Sequence, residues 1–169
     1  ILDQMLTSPI FEAASIIENE IATQDFDAHK LTESHSGQSI AQISGECICC
    51  SDPDNLLVIA KTLREKKPDA PIIIESTGAA SALQLVTKLV SSDDFESNFE
   101  IAQLIYVIDA FRLARGEYSE ADVALSDIVI VTKLDVAPAL SEPARASISS
   151  AVTYFKSSKS DANFLSLIN

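Results

Sequence analysis

Five apolar runs of strand length, each separated from the next by a helical or turn segment, limit this chain's fold more than any other feature. They are AASIIE (13–18), SIAQIS (39–44), Ile72 to Ile74, LIYVIDA (104–110) and DIVIVT (127–132). Runs with little polar alternation suit parallel strands covered on both faces, whereas SIAQIS alternates. Between the second and third runs, SDPDNLLVIAKTLREKK reads as a helix. Ser51 is placed to be its N-cap, Asp52 and Asp54 fall in the first turn, and the last turn is basic. After Gly78, the segment AASALQLVTKLV sets apolar residues at 82, 83, 86, 89 and 90, one stripe of a helix. Strands and helices taking turns predict an α/β fold, a mostly parallel sheet flanked by helices. With 169 residues, 47% of them hydrophobic, the chain is one domain or a large piece of one. SSKSDAN (157–163) reads as a polar loop leading out of it.

Charge narrows the function classes. Twelve basic residues stand against 25 acidic ones, a formal charge of -13, and the basic residues are scattered without aromatic interleaving. Such a chain lacks the footprint of a nucleic-acid binder and is ill suited to an anionic membrane surface. No apolar run reaches the roughly 18 residues needed to span a bilayer, so a cytoplasmic protein is expected. The opening ILDQML reads as the end of a helix, and the chain as a fragment.

All three cysteines fall in GECICC, residues 45–50. Neighbouring cysteines pair only with strain, which argues against a disulfide framework and for a reducing compartment. Three readings remain: a metal site, a redox pair of Cys47 and Cys50, or buried thiols. On an extended backbone Cys47 and Cys49 point to one side and Ile48 to the other, so two thiolates converge, with Cys50 at the following turn. The additional thiol, and the lack of a thioredoxin-like Trp or Gly-Pro, favour the metal. His29 and His35, the only histidines, lie in a polar stretch and read as solvated loop residues that could complete such a site.

In a parallel sheet, ligands gather at the carboxyl ends of the strands. The apolar runs are followed there by Glu18-Asn19-Glu20, GECICC, Glu75-Ser76-Thr77-Gly78 and Thr132-Lys133-Leu134-Asp135. Glu75 with Gly78 has the layout of a nucleotide-hydrolase switch: an acid that holds Mg²⁺, and a glycine whose N–H meets a terminal phosphate. Taken alone, that segment reads more simply as a plain strand end followed by a turn glycine and a helix N-terminus. Asp135 could accept two hydrogen bonds from a guanine edge while the Lys133 stem covers the base; an exposed charged turn is the alternative.

Together these segments resemble the CobW-type metallochaperone GTPases, P-loop proteins related to the nickel-insertion GTPases of urease and hydrogenase maturation. The resemblance runs from about residue 1 to 155. It rests on Asn19-Glu20, CxCC at Cys47 to Cys50, ExTG at Glu75 to Gly78, Val107-Ile108-Asp109-Ala110, and TKxD at Thr132 to Asp135, in that order. It implies a three-layer P-loop NTPase-like fold whose first strand and phosphate loop are absent, since no glycine here is followed by lysine as GxxxxGK[ST] requires. It makes residues 1–169 a partial GTPase domain, with ILDQML as the helix that follows GKT. It implies that Cys47, Cys49 and Cys50 bind Zn²⁺ or Co²⁺, that Glu75 and Gly78 serve Mg²⁺ and catalysis, and that Asn19, Glu20, Thr132, Lys133 and Asp135 serve GTP. A metal-receiving client protein is implied, and a homodimer is compatible with it. A thiolate metal buffer or sensor without hydrolysis, on a degenerate P-loop scaffold, is the alternative. The chain departs from the family in Glu46 before the first cysteine, in Thr132 where asparagine is usual, and in Ala22 and Thr23 where glycine and glutamate are expected.

Overall fold

The computed structural model describes residues 1–20, 38–44, 48, 53–78, 80–137, 139–158 and 160–168. These residues form two compact units, Ile1–Glu100 and Ile101–Asn169.

The first unit begins with α1 (Leu2–Leu6) and a 3₁₀ turn (Pro9–Phe11), followed by β1 (Ser15–Glu20), β2 (Ser39–Ser44), α2 (Pro53–Lys66), β3 (Ile72–Glu75), α3 (Ala82–Val90) and α4 (Asp93–Asn98). Its three strands are parallel in the order β2-β1-β3. The central strand carries the core, with Ile16 and Ile17 fully buried. Leu56, Leu57, Ala60 and Leu63 form the buried stripe of α2, while Val58 faces solvent. That spacing of one, four and seven is the one-sided pattern of a helix laid on a sheet. Ser51 and Asp52, the expected start of α2, lie outside the described residues.

The second unit comprises β4 (Ile105–Asp109), α5 (Ala110–Ala114), α6 (Glu120–Leu125), β5 (Ile128–Thr132), α7 (Glu142–Ala146), β6 (Val152–Phe155) and a 3₁₀ turn (Asn163–Leu167). Its sheet is again parallel, in the order β4-β5-β6. Ile128 to Val131 of the middle strand are buried, and Val129 and Val131 pack with Ile108, Leu113, Val123, Leu140 and Ile148.

Most of the helices are short, and serine hydroxyls start several of them. Ser81, Ser92, Ser119 and Ser141 accept from the backbone N–H of Gln84, Phe95, Asp122 and Ala144 at the heads of α3, α4, α6 and α7. Helices of five or six residues cannot persist on propensity alone, so caps and packing hold them.

The expected strands are present, but coverage on both faces holds only for the middle ones. Ile74 of β3 is 36% exposed and Val107 of β4 is 47% exposed. Among the described residues each of these strands pairs on one side only, at the end of its sheet. Residues 157–163 also differ from the expected exit loop. Asp161 closes this segment on itself: its carboxylate accepts from the Tyr154 hydroxyl (2.6 Å) and from the backbone N–H of Ser157 (3.0 Å) and Asn163 (3.1 Å). Lys156 Nζ donates to the Asp161 carbonyl. Beyond the closure the chain turns inward and buries Phe164 and Ile168. Among the described residues no helix is long and apolar enough to cross a membrane.

The Tyr154 hydroxyl and the Ser157 and Asn163 amides hold the Asp161 carboxyl far below the ordinary carboxylate range. Folding therefore favours its ionised form. Its contribution is complete above the unfolded value of about 3.9 and declines as pH falls below that value. Asp161→Asn should lower the thermal midpoint at neutral pH, and the gap to the parent should narrow in acid. A gap independent of pH would show that the carboxylate charge is not what closes this segment.

Candidate functional site

Parallel pairing brings the polar ends of the first unit's strands to one edge. Glu18 lies opposite Gln42 on one side and Glu75 on the other, Asn19 opposite Ile43, and Glu20 opposite Ser44. Glu75 ends β3 and is exposed; Ser76, Thr77 and Gly78 follow, and the Thr77 carbonyl accepts from the Ala80 N–H (3.0 Å). A Cβ built on Gly78 meets nothing within 4 Å. The fold alone does not demand glycine there, and the space beside its backbone is open to a ligand.

Asn19 is 3% exposed. Its Nδ2 donates to the Ile43 carbonyl (3.1 Å), and its Oδ1 accepts from the Ile48 N–H (2.9 Å). Ile48 is itself buried, at 1% exposed. Cys47, Cys49 and Cys50, together with His29 and His35, lie outside the described residues.

In the second unit the ends of β4 and β5 meet. Asp109 lies opposite Thr132, whose hydroxyl donates to the Ile108 carbonyl (3.3 Å). Where the family usually has asparagine, a threonine here ties the two strand ends together. Lys133 has φ 61°, in the left-handed region, and its carbonyl accepts from the N–H of Ala137 (3.0 Å). Its Nζ lies 3.4 Å from Asp109 Oδ2. The other Asp109 oxygen caps α5, accepting from the Arg112 N–H (2.9 Å). That backbone bond, helped by the Lys133 ammonium, holds the Asp109 carboxyl below its ordinary value against the opposing effect of burial. Asp135 is exposed, and among the described residues no hydrogen bond or ion pair engages its carboxylate.

The expected residues thus fall into two groups. Asn19, Glu20, Glu75 and Gly78 belong to the first unit; Thr132, Lys133 and Asp135 belong to the second. Sequence reasoning assigned no role to Asp109, which orients Lys133. Its signal was an acid closing the apolar run LIYVI, directly ahead of a helix.

The family model for the CobW/HypB/UreG nucleotide-binding domain matches residues 1–160. Zinc-regulated GTPase metalloprotein activator 1 of Schizosaccharomyces pombe is 24% identical over 132 residues, which are 72% of this chain and 32% of that protein. The chain therefore spans about a third of the length of that curated relative. Among solved structures, HypB from Helicobacter pylori in complex with nickel superposes with a TM-score of 0.65 at 17% identity, covering 98% of this chain and 74% of that one. The Zn(II)-bound YjiA GTPase from E. coli superposes with a TM-score of 0.55 at 16% identity, covering 84% of this chain and 56% of that one. Both superpositions show the α/β fold of parallel strands flanked by helices.

Proposed function

The chain belongs to the CobW/HypB/UreG nucleotide-binding domain family, and on that premise we propose that it is the central part of a GTP-hydrolysing metallochaperone. The protein binds a transition metal of the zinc or cobalt class through Cys47, Cys49 and Cys50 and passes it to a client protein. The observation that carries the nucleotide half is the turn after β5. An exposed charged turn has no need of a lysine at φ 61°, a conformation that costs a side-chain-bearing residue roughly 1–2 kcal/mol. Here that conformation accompanies a Lys133 stem pinned by Asp109 and an Asp135 carboxylate left for a ligand.

Guanine fits this acceptor, since its N1–H and N2–H₂ form two parallel donors. Thr132 and Asp109 hold the turn, Lys133 covers the base, and Asp135 selects it. At the other group, bound Mg²⁺ would neutralise charge on the phosphates. Glu75 would hold the ion through water, the Gly78 N–H would approach the terminal phosphate, and Asn19-Glu20 at the end of β1 would form the first switch. Nucleotide state would then alter the segments carrying Glu20 and Glu75, and with them the cysteines.

In the full-length protein, Glu75→Ala should lower Mg²⁺-dependent GTP turnover by about 10²-fold or more. Gly78→Ala should leave the thermal midpoint nearly unchanged, because the added methyl meets open space, yet should weaken GTP relative to GDP. The isolated 169 residues should show no turnover above background, since they contain no GxxxxGK[ST]. Wild-type turnover by the Glu75 variant, or turnover by the isolated chain, would defeat this reading.

A further inference from the structure

The segment after β6 is fixed more firmly than a polar exit from the sheet requires. Val131 of β5 lies opposite Phe155 of β6, and the Lys156 N–H donates to the Val131 carbonyl (2.8 Å). The chain therefore leaves these two neighbouring parallel strands at one edge, into the TKLD turn from β5 and into Ser157-Ser158 from β6. Asp161 binds the second of these exits with its side chain and its backbone. Its Oδ2 accepts from both the N–H (3.0 Å) and the hydroxyl (2.9 Å) of Ser157. Its Oδ1 accepts from the Tyr154 hydroxyl (2.6 Å) and the Asn163 N–H (3.1 Å), and its own N–H donates to the Ser158 carbonyl (3.2 Å). The Asp161 carbonyl accepts from Lys156 Nζ, which lies 5.7 Å from the centre of the Phe164 ring. Lys156 is 5% exposed, so its ammonium is held inside the closure and not offered to a ligand.

A guanine edge sets the O6 carbonyl beside the N1–H and N2–H₂ that Asp135 accepts. Taken out of water, that carbonyl needs a donor. Lys133 Nζ is turned to Asp109 (3.4 Å), and the Thr132 hydroxyl to the Ile108 carbonyl (3.3 Å). The Ser158 N–H, at the same edge, makes no hydrogen bond among the described residues. We infer that Asp161 is a positioning residue for base recognition: by fixing Ser157 through both its N–H and its hydroxyl, it holds the Ser158 N–H beside the TKLD turn as the donor to guanine O6. The inference rests on the reading of TKLD as the base site. A carboxylate suits the task because it only accepts, and donors alone converge on it. Asparagine would set an amide donor against one of them. A closure that served stability alone would treat all nucleotides alike.

The test compares GTP with 6-thio-GTP in competition binding to the full-length protein. The analogue keeps N1–H and N2–H₂ and replaces O6 with sulfur, a weaker acceptor. The parent should prefer GTP, and Asp161→Ala should weaken GTP by roughly 3–10-fold, the worth of one hydrogen bond, while 6-thio-GTP changes little. The two affinities should therefore converge. If Asp161→Ala does not fold, Asp161→Asn, which keeps one carbonyl acceptor, should show the same convergence to a smaller extent. Thermal melts of each variant give the folded fraction. A parent that binds the two nucleotides equally, a parental ratio in the folded variants, or an equal loss for both nucleotides would overturn the inference while leaving the guanine reading intact. An unchanged ratio of GTP to XTP affinity in Asp135→Asn would overturn both.

Discussion

Asp135→Asn in the full-length protein should move base preference from guanine to xanthine nucleotides. The carboxylate accepts from guanine N1–H and N2–H₂, and each hydrogen bond to a charged group contributes about 1.5–3 kcal/mol. An amide turns one acceptor into a donor, which meets the additional carbonyl of xanthine instead of an N–H. Losing one bond and setting a donor against a donor should weaken GTP by roughly 10²-fold and reverse the ratio of GTP to XTP affinity. Exposure of the side chain makes the experiment clean, since no described residue depends on that carboxylate for packing or charge balance. Competition binding with the two nucleotides reads the outcome. An unchanged ratio would remove TKLD from the base site.

Cys47→Ser with Cys49→Ser should have the second large effect. Zinc and cobalt favour thiolates, and serine hydroxyls do not ionise to replace them at neutral pH. The reduced parent should bind about one Co²⁺ with thiolate charge-transfer absorption and tetrahedral d–d bands, releasing protons as the thiols ionise. The double variant should lose more than the roughly 10–100-fold that follows from disturbing groups behind the ligands. A charge-transfer band of unchanged intensity in the double variant would exclude these two cysteines as ligands.

The sequence made the scaffold legible where a run of apolar residues was long enough to have only one use. Strands β2 and β5 lie where SIAQIS and DIVIVT predict them. Strand β6 escaped notice because VTYF is short and half exposed; it becomes a strand by pairing with the buried middle strand β5. The coverage of β3 and β4 could not be read, because burial of an end strand depends on strand order and not on its own residues. At the site, residue identities were legible while their couplings were not. TKLD announced a charged turn, but the left-handed Lys133 and its contact with Asp109, 24 residues earlier, exist only in three dimensions. Asn19 was visible as one half of Asn-Glu. Its grip on Ile48 depends on two strands lying side by side, and no spacing rule reaches across 29 residues of chain.

The serine caps carry a consequence for how such a sequence diverges. Ser81, Ser92, Ser119 and Ser141 each start a different helix, so the instruction to begin a helix is stored in four separate places. Losing one cap costs about 1 kcal/mol, a tolerable fraction of the roughly 5–15 kcal/mol that keeps a domain folded. A lineage can therefore drift through any single loss. After two or three, the next otherwise neutral change becomes lethal, so the caps are epistatic through stability even though they lie on different helices.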